Sequence, residues 1–182
     1  MQNEKEILEK LREGVVFLII TSFLLGVLGV LFLYIVSESV FKPGILGYVL
    51  GLSLIEIIGG IIGVRGLTKT KAGFKALMEL GKDVRRGYVG VNLYLTSIVL
   101  SVLGVFLLPV LIGVPLMFLG VLFVVLGNLF VGLGFYKVGE IYGEEKLMTG
   151  GFLAAIPFPV LSFVGYILVY IGLGKVVGNG AP

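Results

Sequence analysis

The chain has 182 residues, of which 58% are hydrophobic and only 14% charged, and its formal net charge is +3. Soluble domains carry roughly 25% charged residues, so this composition excludes an ordinary soluble domain and is typical of a polytopic membrane protein. Cysteine and histidine are absent, which excludes disulfides, thiolate metal sites, cysteine nucleophiles and imidazole general bases. We therefore expect an all-α integral membrane bundle that uses no cofactor or metal.

Hydropathy predicts five segments long enough to cross about 30 Å of hydrocarbon within a single membrane domain, 1–182. In chain order the predicted spans are 15–36, 44–64, 90–110, 114–136 and 150–173. The third and fourth share one apolar stretch, in which Pro109, Gly113 and Pro115 favour a tight turn.

Two segments of this pattern need separate interpretation. The stretch NEKEILEKLREG, which precedes the first span, predicts a short helix that ends at Gly14. The fifth span contains Pro157 and Pro159, which must kink or break a helix. A crossing there puts the C-terminus outside, whereas a re-entrant segment would return it to the cytoplasmic side.

Basic residues set the predicted orientation. Twelve Lys and Arg residues fall in 1–14, 65–89 and 137–149, whereas only Lys42 and Lys175 fall on the other side. Because Lys and Arg accumulate on the cytoplasmic side of membrane proteins, we expect a plasma-membrane protein with a cytoplasmic N-terminus.

The segment 65–89 has the pattern of an amphipathic helix that lies on the membrane surface. Its apolar stripe includes Phe74, Leu77 and Val84. Five of its seven basic residues are assigned to the lipid surface: Lys71, Lys75, Lys82, Arg85 and Arg86. These cations favour anionic lipid headgroups. Two alternatives stay open: the charges only set topology, or they bind a cytoplasmic partner. No recognised nucleic-acid module is present, so nucleic acid is not an expected partner.

Regularly spaced glycines predict close helix packing, because small residues let helix backbones approach each other in lipid. The second span carries Gly47, Gly51, Gly59 and Gly63, and the fourth carries Gly120, Gly127 and Gly134. We interpret these as packing seams inside the bundle; the alternative is contact between copies in a homo-oligomer.

One acidic residue, Glu56, lies within a predicted span and shares a helix face with Ser53. An intramembrane carboxyl group is energetically costly and needs a hydrogen-bonding partner. Residues at the same predicted depth nominate a buried polar layer of Glu56, Ser53, Asn128, Ser97, Thr21 and Ser22. The layer is either a hydrogen-bonded clasp that fixes helix register or a protonatable site on a transport path. Glu56 alone makes a poor catalytic set, so we do not expect an enzyme.

Three stretches carry a family resemblance: EKLREGVVFLIITS, GFKALMELGKDVRRGYVGVNL and FLAAIPFPVLSFVGYILVYIGLGKV. Together they resemble an uncharacterised family of small archaeal polytopic membrane proteins, a domain of unknown function. The resemblance implies an archaeal plasma membrane and no assigned activity. The sequence thus predicts an integral membrane protein of unknown role, acting as a non-enzymatic structural or accessory subunit. The alternative is a small transporter or channel that uses Glu56.

Overall fold

The computed structural model describes residues 3–27, 45–107, 109 and 111–179, with α2 side chains described from Ile58 onward. Every regular element in these ranges is helical. The elements are α1 (Glu4–Thr21), a π-helical extension (Ser22–Val27), α2 (Ile45–Glu79), α3 (Arg85–Phe106), α4 (Gly113–Tyr142), α5 (Glu145–Ala155) and α6 (Pro159–Gly178). The structure therefore confirms an all-α fold.

The first helix does not end at Gly14. α1 runs through this residue because Gly14 packs closely against Gly66 and Thr70 of α2, where a side chain would clash. The predicted lead-in helix and the start of the first span are thus one helix. The rest of that span, 28–36, lies outside the described residues.

The predicted surface helix within 65–89 is wrong. Its first part continues α2 without a break to Glu79, and α3 begins at Arg85 after a short turn. Phe74, Leu77 and Val84 are almost completely buried in the bundle core instead of facing lipid. The amphipathic pattern was real, but protein packing, not the membrane surface, buries its apolar stripe.

The six helices form a closed ring in which neighbours in sequence are neighbours in space and α6 packs against α1. Adjacent helices are antiparallel, as paired contacts along α3 and α4 illustrate. Gly90 lies against Val131 near one end of this pair, whereas Gly104 lies against Met117 near the other. The turn between these two helices confirms the predicted hairpin. Its Leu111 adopts a positive φ of 60°.

The ring has two dissimilar halves. The charged half contains the N-terminal part of α1, the end of α2, the start of α3 and the end of α4. Its interior holds an aromatic stack in which the ring centroids of Phe74 and Phe135 are 5.1 Å apart and those of Phe135 and Tyr166 are 6.4 Å apart. The apolar half, formed mainly by the other ends of α3 and α4, exposes large hydrophobic side chains such as Phe106 and Phe118.

The predicted fifth span is two antiparallel helices. α5 ends at Ala155, the chain reverses at 156–158, and α6 runs back along α5, so that Gly172 packs on Leu147. The end of α6 therefore lies in the charged half, where Lys175 Nζ is 3.3 Å from Glu144 Oε1. The C-terminal end of α6 thus lies at the same end of the bundle as the start of α1. A single continuous helix through 150–173 is therefore wrong, because the chain folds back at 156–158.

Three of the described helices, α3, α4 and α6, are long and apolar enough to cross a membrane. Five spans are not supported. The broken segment explains part of the difference, because hydropathy detects a long apolar stretch but does not detect that the chain folds back within it.

Candidate functional site

The break between α5 and α6 creates buried backbone groups that need partners. Pro157 and Pro159 have no N–H, so they cannot continue the hydrogen-bond ladder of α5. The N–H of Phe158 is also diverted, since it donates to the carbonyl of Ile156 at 2.7 Å. The carbonyl of Ala154 consequently loses its helical donor. In a low-dielectric interior an unpaired carbonyl is destabilising.

Asn128 supplies the missing donor from α4. Its Nδ2 donates to the carbonyl oxygen of Ala154 at 2.8 Å and to that of Ile156 at 3.3 Å. The residue is only 5% exposed. One side-chain amide thereby caps the end of α5 and holds the reversal against the neighbouring helix.

The same amide is tied to α6 by two further side chains. Nδ2 lies 3.2 Å from Ser162 Oγ, and the Tyr166 hydroxyl donates to Asn128 Oδ1 at 3.3 Å. Ser162 Oγ in turn donates to the Ile156 carbonyl at 2.9 Å. Asn128, Ser162 and Tyr166, with the carbonyls of Ala154 and Ile156, form what we call the hairpin clasp.

A cavity of about 500 Å³ lies beside the hairpin clasp, inside the ring. Its floor includes Asn128, Pro157 and Ser162, and its walls come from the π-helical extension, α2, α3 and α4. The cavity has a structural cause. α5 stops at Ala155 and α6 begins at Pro159, while α3 and α4 continue into the apolar half. Among the described helices, neither α5 nor α6 therefore extends above this level.

Four members of the predicted polar layer line this cavity: Thr21, Ser22, Ser97 and Asn128. Residues that were grouped by their depth along the predicted spans therefore also lie together in the fold. The side chains of Glu56 and Ser53 lie outside the described residues. In the backbone, Glu56 is one helical turn before Gly60, which lines the cavity.

Sequence reasoning missed the residues that α3 and α6 add. Ser162 and Tyr166 belong to the hairpin clasp, and Tyr94 and Ser101 line the cavity. A signal for two of them was present, because Ser162 and Tyr166 are four residues apart and so share a helix face after Pro159. This signal was not used, because depth was counted from the start of the predicted span at 150. That count placed Ser162 and Tyr166 beyond the predicted polar layer.

The described glycines of the predicted seams lie at contacts between helices of the same chain. Gly134 packs on Gly87, Gly127 on Tyr94, Gly120 on Ser101 and Gly63 on Thr21. Gly59 is buried, and its carbonyl accepts a 3.3 Å hydrogen bond from the Thr21 hydroxyl. The side-chain positions at Gly47 and Gly51 lie outside the described residues.

The basic residues assigned to lipid binding divide into two groups. Lys71 lies over the Tyr88 ring, Lys75 pairs with Glu79, and Lys82 pairs with Glu4 at 3.2 Å. Arg85 and Arg86 stand at the exposed start of α3 and form no ion pair with a described residue. Arg86 also lines a smaller surface cavity with Asp83, Tyr136 and Lys137.

Glu4 is the centre of an electrostatic contact in the charged half. The Tyr142 hydroxyl donates a short hydrogen bond to its carboxylate, and Lys82 lies beside it. The Tyr142 hydrogen bond, and secondarily Lys82, lowers the pKa of Glu4 below its ordinary value, although partial burial opposes the shift. This contact joins the start of α1, the turn after α2 and the end of α4.

The chemistry of the mid-bundle site is therefore that of hydrogen-bonding amides, hydroxyls and backbone carbonyls. Among the described residues, no three acidic side chains come close enough together to hold a metal ion.

Comparison with known proteins gives a family without an activity. No curated protein and no solved structure matches the chain. A family model described as "Protein of unknown function (DUF973)" matches residues 4–181, which include every described helix. The chain belongs to this family of unknown function, DUF973.

Proposed function

We propose that this chain is a non-enzymatic integral membrane protein that acts as a structural or accessory subunit of a larger membrane assembly, without a cofactor. The observation that carries the proposal is the hairpin clasp. The buried amide of Asn128 bonds to two backbone carbonyls and two side chains of its own fold. This use of the central polar group supports the clasp interpretation of the polar layer. The outer surface of the bundle is then the part that can bind another subunit.

The apolar half offers such a surface. Phe106, Phe118 and Val121 of the α3–α4 hairpin are 77%, 71% and 62% exposed. They lie beyond the level at which α5 ends, so neither α5 nor α6 reaches them. In a membrane this flank of α3 and α4 is available to lipid or to an apolar helix of another protein.

We further propose four crossings followed by a re-entrant hairpin in the plasma membrane. The crossings are α1 with its extension, the first part of α2, α3 and α4. α6 is also long enough to cross, but we assign it to the hairpin because it runs back along the short α5 to the charged half. The Lys and Arg residues of the charged half support a cytoplasmic location for that half, because basic residues accumulate on the cytoplasmic side. Both the N-terminus and the end of α6 would then be cytoplasmic.

Anionic lipid headgroups are the proposed ligands of Arg85 and Arg86. Both side chains are exposed at the start of α3, and Arg86 lines the smaller surface cavity with Tyr136. Cations at this position attract acidic headgroups with roughly 1 kcal/mol each. Lys71, Lys75 and Lys82 contribute less, since each already has a partner within the chain.

The test of the subunit proposal is purification of the tagged chain from its native membranes in mild detergent, with native mass determination. We expect a stoichiometric membrane-protein partner that Phe118→Ala weakens or removes. The matched control is Phe152→Ala, which truncates another exposed phenylalanine, 58% exposed on α5, and should retain the partner. A lone monomer or homo-oligomer in the unmodified chain would overturn the proposal.

A further inference from the structure

The cavity beside the hairpin clasp has the dimensions of a ligand site. Its volume of about 500 Å³ lies within the roughly 300–1,000 Å³ that is usual for small-molecule pockets. It is a consequence of the fold, because the early end of α5 leaves a gap in the ring. A space of this size inside a membrane bundle needs an occupant, since protein interiors are otherwise close-packed.

The walls indicate where the occupant comes from. Val102 of α3 and Val125 of α4 line the cavity, yet they are 50% and 38% exposed on the bundle. They belong to the apolar half, whose surface faces hydrocarbon in the proposed topology. The cavity is thus continuous with the bilayer, and an apolar molecule can enter between the helices without crossing water.

The remaining walls carry hydroxyl groups at hydrocarbon depth. Thr21, Tyr94 and Ser101 all line the cavity. Thr21 donates its hydroxyl proton to the Gly59 carbonyl, which leaves its oxygen as an acceptor. The hydroxyls of Tyr94 and Ser101 form no hydrogen bond to another described residue. Asn128, in contrast, is fully engaged in the hairpin clasp.

We propose that the cavity binds a bilayer-dissolved hydrocarbon chain that carries a single hydroxyl head, that is, a long-chain alcohol. The chain fills the apolar part of the cavity, and the head exchanges hydrogen bonds with the wall hydroxyls. A hydroxyl group at this depth in lipid has no hydrogen-bonding partner, so the wall hydroxyls of the cavity supply one. This inference goes beyond the subunit proposal, and it rests on the proposed membrane topology alone.

The test uses a photoreactive long-chain alcohol with a diazirine in its chain, applied to the full chain in detergent and mapped by mass spectrometry. We expect labelled residues on the cavity faces of α3 and α4, with labelling that saturates and is displaced by the unlabelled alcohol. Uniform, non-saturating labelling of the exposed flank would overturn the proposal.

Gly60 provides a matched pair of variants. It lines the cavity, and a side chain there meets no described atom within 4 Å. Gly60→Leu should therefore fold, fill the cavity and reduce labelling at least tenfold. Gly178→Leu is the control, because Gly178 is equally open but stands at the far end of α6. Equal labelling of the two variants at the cavity residues would contradict the site.

The hydroxyl head is tested separately. Tyr94→Phe removes one wall hydroxyl without changing the ring, and it should weaken displacement by the alcohol several-fold. An alkane of the same length should displace the probe poorly from the unmodified chain. If the alkane competes as well as the alcohol, the proposal that the cavity recognises the hydroxyl head is wrong.

Discussion

The carboxamide nitrogen of Asn128 donates a 2.8 Å hydrogen bond to the backbone carbonyl of Ala154, across the contact between α4 and α5. This one bond satisfies a carbonyl that loses its helical donor where α5 ends, because the N–H of Phe158 donates to Ile156 instead. It also explains how a chain reversal is tolerated inside an apolar bundle, where every backbone polar group must find a protein partner.

Replacement of Asn128 should therefore be strongly destabilising. Asn128→Leu keeps a similar volume but leaves the Ala154 carbonyl and the Tyr166 hydroxyl without their partner. Because each buried unpaired group costs about 1–3 kcal/mol, we expect a loss of roughly 2–4 kcal/mol in the free energy of unfolding. Chemical unfolding in detergent, followed by circular dichroism, measures this loss.

Asn92→Leu is the control for that experiment. Among the described residues, the Asn92 amide donates only to the Tyr88 carbonyl of its own helix, at 3.1 Å. Its removal should therefore cost less than about 1 kcal/mol. Similar losses for the two variants would show that the hairpin clasp does not hold the reversal.

Gly132 should not accept a side chain. A methyl group there would overlap the backbone nitrogen and Cα of Ala155, at the point where α5 ends against α4. Backbone atoms cannot move aside as a flexible side chain can, so Gly132→Ala should destabilise the fold by about 1–3 kcal/mol. Gly60→Ala meets no described atom within 4 Å and should leave the thermal midpoint unchanged or slightly raised. The thermal midpoints of both variants in one detergent provide the comparison; a reversed order would refute the close α4–α5 contact.

The contact between Glu4 and Tyr142 should make stability depend on pH. The folded state lowers the pKa of Glu4 below its ordinary value of 4.5. The contact therefore contributes fully above the unfolded pKa, and its contribution is lost as the pH falls through the lowered folded pKa. We expect the thermal midpoint to fall with acidification below about pH 4.5, and Glu4→Gln to reduce this dependence.

At neutral pH, Glu4→Gln should cost on the order of 1 kcal/mol, since a neutral amide is a weaker acceptor than a carboxylate. Glu9→Gln is the control, because Glu9 is an exposed residue of the same helix. An identical pH profile for the unmodified chain and Glu4→Gln would contradict the assigned role of this contact.

The proposed topology can be tested with single cysteines, because the natural chain has none. Leu111→Cys lies in the exposed α3–α4 turn, and Gly178→Cys lies at the end of α6. A membrane-impermeant maleimide applied to intact cells should label the first position and leave the second unlabelled until the membrane is opened. Glu9→Cys marks the cytoplasmic N-terminus as a reference. Labelling of Gly178→Cys in intact cells would show instead that the C-terminus lies outside the cell.

The sequence was informative wherever a property is local or additive along the chain. Composition and hydropathy predicted the all-α class, the α3–α4 hairpin and the apolar character of the helices. Counting residues from a span boundary also grouped Thr21, Ser22, Ser97 and Asn128, which line one cavity. This counting works because each residue of a helix advances the chain by a fixed 1.5 Å, so the depth of a residue follows from its position in the sequence.

Prediction failed where the outcome depended on which surfaces meet. The stripe of Phe74 and Leu77 has the same periodicity whether it faces lipid or another helix. Only helix packing decides between them, and it places Phe74 against Gly87 of α3 and Phe135 of α4. Likewise, Pro157 and Pro159 predicted a break in the helix. The angle of the break depends on which groups donate hydrogen bonds to the carbonyls at the end of α5.

The sequence by itself determined that this chain forms apolar helices, that its charges accumulate at one end, and where the last apolar segment must break. The tertiary structure alone decided that the break is a full reversal, that the end of α6 returns beside Glu144, and that a cavity remains above the hairpin clasp. The physical reason is that helix formation depends on neighbouring residues. The reversal, in contrast, requires the Asn128 amide, 26 residues away from Ala154 in sequence, to donate to the carbonyl that the diverted N–H of Phe158 leaves free.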